Sequence, residues 1–111
     1  MLAAHLPPPP ARMLVNAADF LFNGSRKAGP SGRWRLQLRN NGQDEHDLRI
    51  RRADGKVIAQ MGIVNPNGLG TITVRLKPGT YRLFCGVADH EALGMSLRLI
   101  VRVPRMRTTA P

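Results

Sequence analysis

The chain is poor in cysteine, in aromatic side chains and in negative charge. Its single cysteine, Cys85, cannot close an internal disulfide. One thiol also excludes any site that needs two thiolates, which removes Cys-x-x-Cys zinc sites and iron–sulfur clusters. Cys85 is therefore a buried apolar residue, a reactive thiol, or one ligand among non-cysteine ligands. Phe, Trp and Tyr together number only five, so a core must be mainly aliphatic. Apolar runs are short, and none reaches the roughly 18 residues that a membrane-spanning helix needs. Ser25, Ser31 and Ser96 have no recognisable base arrangement and no Gly-rich phosphate loop opens a helix, so no hydrolytic constellation is visible.

Against 7 Asp and Glu stand 17 Lys and Arg, a net charge of +10. That surplus predicts attraction to an acidic protein, an anionic membrane surface or nucleic acid. Nucleic acid ranks last, because exposed stacking aromatics and a recognition helix are missing. The 111 residues suffice for one compact domain. "MLAAHLPPPPAR" lacks a basic start, a continuous apolar stretch and a small-residue cleavage site, so it does not read as a signal peptide. Pro7 to Pro10 form a stiff extended segment. The expected organisation is a tail over 1–12, a domain over 13–104 and a second tail over 105–111.

Within the domain the period is two. "RWRLQLRN" puts Trp34, Leu36 and Leu38 on one side and Arg33, Arg35, Gln37 and Arg39 on the other. "HDLRIRR" from His46 alternates again, with His46, Leu48 and Ile50 together. Ile72, Val74 and Leu76 share a face, as do Tyr81, Leu83 and Cys85, and then Leu97, Leu99, Val101 and Val103. Val57 to Met61, Met13 to Ala17 and Phe20 to Phe22 supply further short strands. Turn-rich "NNGQDE", "ADGK", "NPNGLG" and "KPG" separate them. No convincing helix or internal repeat is seen. Seven or eight short strands with frequent turns predict an antiparallel β-sandwich. Most arginines then lie on outward faces, where their stems cover apolar surface.

Chemistry concentrates in "LKPGTYRLFCGVADHEALGMSLRLIV". Cys85 ends a strand, His90 lies in a short loop, and Met95 opens the next strand. A thiolate, an imidazole and a thioether suit copper, which takes soft ligands when reduced and imidazole in both states. A second imidazole is available in His46, 39 residues before Cys85. The alternative, His5, lies in the tail. Taken singly, Cys85 and Met95 read as core residues and His46 as an ordinary strand residue; their coincidence carries the metal reading. A structural zinc site seldom uses Met.

These stretches resemble the cupredoxins, the small blue copper proteins, over roughly Leu14 to Val103. "NAADFLFN" resembles the family's first strand, "LRNNGQDEHDLRI" its Asn-rich turn and first histidine ligand, and the Cys–His–Met stretch its ligand loop and closing strand. The resemblance implies an eight-stranded Greek-key sandwich and one mononuclear type 1 copper held by His46, Cys85, His90 and an axial Met95. It implies an electron carrier rather than an enzyme. A binuclear centre would need a second loop cysteine, and a multicopper oxidase more paired histidines. Asp47 falls where a polar residue often supports the ligands. Ala92, Leu93 and Gly94 would form an apolar exit patch beside the exposed ring edge of His90. Val87-Ala88-Asp89 replaces the Pro-Gly common in that loop, and Asp89 and Glu45 put carboxylates next to the two histidines in sequence. Expected partners are an acidic redox protein or, failing that, an anionic membrane surface; the expected state is a monomer, periplasmic or extracellular. The rival function is copper handling by a chaperone or sequestering protein, against which the scattered Met1, Met13, Met61 and Met106 argue. A basic binding module without metal is the remaining class.

Overall fold

In the computed structural model, which describes residues 7–104, nine strands and one helical turn form two sheets packed face to face. The strands are β1 (Ala11–Ala18), β2 (Leu21–Gly24), β3 (Ala28–Pro30), β4 (Gly32–Asn40), β5 (Arg49–Arg52), β6 (Val57–Gln60), β7 (Leu69–Leu76), β8 (Gly79–Phe84) and β9 (Ser96–Arg102). The helix α1 spans His90–Leu93. One sheet runs β2-β1-β4-β7 and the other β3-β9-β8-β5-β6. The chain changes sheet after β2, β3, β4, β6 and β7, the connectivity of a Greek-key sandwich. Two neighbouring pairs are parallel, β1 with β4 and β3 with β9, so both sheets are mixed.

Alternation decides which side of each strand is buried. Met13, Val15 and Ala17 of β1 face Leu36, Leu38 and the rest of the β4 apolar row across the ladder. Leu48, Ile50, Leu83, Leu99 and Val101 close the core from the second sheet. Trp34 is completely buried and donates from Nε1 to the Pro30 carbonyl at 2.7 Å. Phe84 points outward from β8 yet is buried, because the Arg51 guanidinium lies 4.0 Å above its ring.

Besides the mixed sheets, where an antiparallel sandwich was expected, and α1, where no helix was, further expectations need adjusting. A strand was expected from His46 to Arg52, but β5 starts at Arg49; His46 forms an isolated antiparallel bridge with Val64. β3 adds a ninth strand that its Ala-Gly-Pro sequence does not announce. β1 begins at Ala11, two residues ahead of the expected domain start at Met13. Just before it, the Pro8 carbonyl accepts a hydrogen bond from Arg33 Nη2 at 2.9 Å. His5 and the segment 105–111 lie outside the described residues. Among the described residues no helix is long and apolar enough to cross a membrane.

Candidate metal centre

Four connections meet at one end of the sandwich: β1 to β2, β4 to β5, β6 to β7, and β8 to β9. Asn40, the last residue of β4, organises two of them. Its fully buried amide donates to the carbonyls of Asp44 (2.8 Å) and Val64 (2.9 Å), and its Oδ1 accepts from the Gly42 N–H at 2.8 Å. Every polar atom of that side chain is thereby satisfied, as burial requires. Val64 in turn exchanges backbone hydrogen bonds with His46 at 3.2 and 2.7 Å. Gly70 lets the β6–β7 connection lie this close: a Cβ there would stand 2.6 Å from Met61 Sδ and 2.7 Å from Val64 Cγ2.

The β8–β9 connection is wound as tightly. Cys85 N–H donates to the Met95 carbonyl at 3.1 Å, Met95 N–H to the His90 carbonyl at 3.1 Å, and His90 N–H to the Val87 carbonyl at 3.0 Å. Glu91 fastens α1 to the second sheet through Arg51 (2.9 and 3.3 Å) and Arg82 (2.7 Å). The hydrogen bonds from Arg51 hold its carboxyl below the ordinary range, with Arg82 adding to them and partial burial opposing. Asp47, almost fully buried, joins the two ligand-bearing segments. Its Oδ1 accepts from Gly86 N–H at 2.6 Å, its Oδ2 from Arg49 Nε at 2.9 Å, and its own N–H points at Cys85 Sγ at 3.5 Å. Gly86 leaves the room this needs, since a Cβ would meet Arg49 Nε at 2.2 Å.

These frames bring His46, Cys85 and His90 together although 39 residues separate the first two. Cys85 Sγ lies 3.6 Å from His90 Nδ1 and 3.9 Å from His46 Nδ1, and all three ligating atoms fall within 4.8 Å of one another. A metal–sulfur bond of about 2.3 Å and a metal–nitrogen bond of about 2.0 Å, typical of a first-row ion, together exceed either separation. One ion can therefore bridge the sulfur to either imidazole, with the third donor atom within 4.8 Å of both. His46 and Cys85 have no exposed surface and His90 keeps 6%. Burial pushes the Cys85 thiol above its ordinary range, against the opposing hydrogen bonds from the Asp47 and Val87 backbone. Met95 is fully buried, bonded through its backbone to Cys85 and His90, and packed with the apolar core, as Cys85 is.

Two features escape the sequence reading. His46 Nε2 lies 2.6 Å from Asp19 Oδ1, so the ring donates its Nε2–H to a carboxylate and turns the Nδ1 lone pair toward the sulfur. Asp19 also accepts from the Gln43 N–H (2.8 Å) and Asp44 N–H (3.3 Å); the hydrogen bond from Gln43 is the main reason its carboxyl sits below the ordinary range. Phe20 packs 4.7 Å from the His90 ring and edge-on to His46 at 6.3 Å, roofing the imidazoles. The carboxylates near the histidines are thus Asp19 and Asp44, whose Oδ2 is 3.7 Å from His90 Nε2. Glu45 and Asp89, the neighbours in sequence, are exposed. Ala92, Leu93 and Gly94 are exposed on α1 and its end, with Leu93 53% accessible.

No protein-family model and no curated protein matches the sequence. Solved structures do match. Auracyanin B aligns with a TM-score of 0.75 and 19% identity over 87% of this chain and 93% of its own. Auracyanin A, described as a "blue" copper protein from the green thermophilic photosynthetic bacterium Chloroflexus aurantiacus, aligns at 0.75 and 16% over 85% and 100%. Amicyanin from Paracoccus versutus aligns at 0.60 and 15% over 90% and 88%. At such identities the likeness establishes the fold, which is the cupredoxin sandwich.

Proposed function

We propose that the chain is a mononuclear blue copper protein that carries single electrons between redox partners. The observation that carries this reading is the meeting of one cysteine sulfur with two imidazole Nδ1 atoms in a buried pocket. Cys85, His46 and His90 would hold the ion, and Met95, at the far end of the same loop, would be the fourth and weakest ligand. That mixture of soft and borderline donors suits copper better than zinc or a hard cation. Bound copper supplies a one-electron couple between Cu(II) and Cu(I).

The chain's own part is to hold the ligands still. Asn40 and Val64 fix the backbone of His46, Asp19 fixes its ring, Asp47 ties Gly86 and Cys85 to the His46 segment, and Glu91 clamps the turn that carries His90. Little then has to rearrange when an electron arrives or leaves. His90 reaches the surface by a narrow edge between Asp44 and Phe20, beside exposed Ala92, Leu93 and Gly94; that edge is the electron's route out. The net charge of +10 favours an acidic partner at long range. A monomer acting in the periplasm or outside the cell agrees with this role.

Copper handling is the second reading. Met13 and Met61 weigh against it, because both pack with the core instead of forming a thioether-rich surface. The deciding experiment is a Cu(II) titration followed by visible and electron paramagnetic spectra, with Cys85→Ser alongside. We expect an intense thiolate-to-copper band that bleaches reversibly on reduction and is absent from the variant. Colourless one-to-one binding would overturn the carrier reading and favour copper handling. No binding at all would leave a metal-free module.

A further inference from the structure

The charge of this molecule is divided in space more sharply than its sum suggests. The four connections at the metal end, over 19–20, 41–48, 61–68 and 85–95, contain six of the seven acidic residues and none of the 17 lysines and arginines. Asp47 and Glu91 are matched by Arg49, Arg51 and Arg82 on β5 and β8 of the second sheet, and Asp19 is taken up by the His46 ring and two backbone N–H groups. Asp44, Glu45 and Asp89 remain exposed, and Asp44 stands 3.7 Å from His90, the one histidine among the described residues whose edge reaches the surface. Leu21, Ile63 and Leu93, each more than half exposed, supply apolar surface on the same connections or at their margins.

The unpaired arginines lie elsewhere. On the outer face of the first sheet Arg12 is the cross-strand neighbour of Arg35, and Arg33 of Arg75. Like charges so placed cost stability. Arg33 sits seven residues from Asn40 along β4, about 23 Å at 3.3 Å per residue. That distance is roughly three Debye lengths at physiological salt. Arg39 is the arginine of this face that comes near the metal end. An acidic molecule is therefore drawn to the sheet face, where it has no access to His90.

We propose that the contact surface around His90 is built for a cationic patch on the redox partner, packed against Leu21, Ile63 and Leu93 and paired with Asp44, Glu45 and Asp89. The proposal rests on the carrier reading for its purpose, but the surface itself requires no metal.

Two measurements test it. In the first, the full chain, with and without Cu(I), is titrated with pentalysine and with pentaglutamate while backbone amide shifts are followed. Pentalysine should move amides over 42–46 and 88–93, and pentaglutamate those near Arg33, Arg35 and Arg75. In the second, the copper-loaded chain is oxidised by a tripositive cobalt phenanthroline complex at rising salt. Despite the net charge of +10, the rate should fall with salt, and it should drop about tenfold at low salt in the Asp44→Asn/Glu45→Gln/Asp89→Asn variant. Arg12→Gln/Arg35→Gln should leave that rate unchanged. Pentalysine that moves no amide at the metal end, or a rate that rises with salt, overturns the proposal. A chain that takes up no reducible copper but still binds pentalysine there overturns the carrier reading and leaves the surface standing.

Discussion

At the scale of single residues, Asp19 is the most consequential side chain beyond the ligands. Its carboxylate accepts from His46 Nε2 at 2.6 Å, which makes the imidazole a richer donor at Nδ1. A richer donor favours the more highly charged metal, Cu(II), over Cu(I). Asp19→Asn keeps an acceptor in place and removes the charge. We expect it to retain the thiolate-to-copper band and to shift the Cu(II)/Cu(I) affinity ratio about tenfold toward Cu(I), a rise of about 59 mV in potential by voltammetry. An unchanged potential would mean that Asp19 only orients the ring. Nothing in the sequence marks this residue, because 27 positions separate it from His46 and no periodicity connects a turn after β1 with a bridge after β4. The proposed ligands were legible for the opposite reason. Cys85, His90 and Met95 lie within one loop, and their donor chemistry points to one class of metal. Asp47 was legible as a neighbour of His46, whereas Glu45, equally a neighbour, faces solvent. Adjacency in sequence says that a side chain is near, and the loop conformation says which way it turns.

At the scale of elements, alternation gave away the strands whose two faces differ. β4 and β8 each have one buried row as expected; in β7 and β9 the expected row is buried at Leu76, Leu99 and Val101 and half-buried at Ile72, Val74 and Leu97, while Val103, expected with it, lies past the end of β9 and is 73% exposed. Leu36→Ala in the middle of β4 should cost about 2–5 kcal/mol in denaturant unfolding, since Leu36 has no exposed surface. What alternation cannot reveal is partnership. β3 exists because its backbone pairs in parallel with β9, not because Ala-Gly-Pro favours a strand, and the parallel β1–β4 pairing joins elements separated by two intervening strands. The strand expected at His46 fails for a related reason: Asn40 and Val64 pull that residue into a bridge before the ladder with β8 begins at Arg49. The short α1 was likewise not foreseen. It is held from outside by Glu91, whose partners Arg51 and Arg82 are 40 and 9 residues away. Glu91→Gln removes two partly exposed ion pairs, worth about 1 kcal/mol or less together. We expect little loss of global stability, faster amide exchange over 86–94, and retention of the copper band with a broadened spectrum. A loop as protected as in the parent chain would show that its backbone hydrogen bonds suffice without the clamp.

At the scale of the whole molecule, the question is whether metal and fold depend on each other. In small zinc domains the ion supplies most of the folding free energy and chelation unfolds the chain. Here the core is filled by Trp34, Leu36, Leu38, Ile50, Leu83 and Leu99, none of which contributes to the metal cluster. The loops at the metal end carry their own hydrogen bonds, through Asn40, Asp47 and the backbone of the Cys85–Met95 turn. The sandwich should therefore outlast the metal. We expect a Cu(I) chelator acting on the reduced protein to keep the visible band from returning on reoxidation while the far-ultraviolet circular dichroism and the amide protection of β4 and β8 stay native. Reloading should raise the unfolding free energy through mass action alone, by about 4 kcal/mol at free copper a thousand times the dissociation constant. Cys85→Ser should lose that increment and keep the baseline of the metal-free chain. Loss of strand protection on chelation would place the ion among the elements that build the fold, and would make the hydrogen bonds of Asn40 and Asp47 a consequence of metal binding rather than its cause.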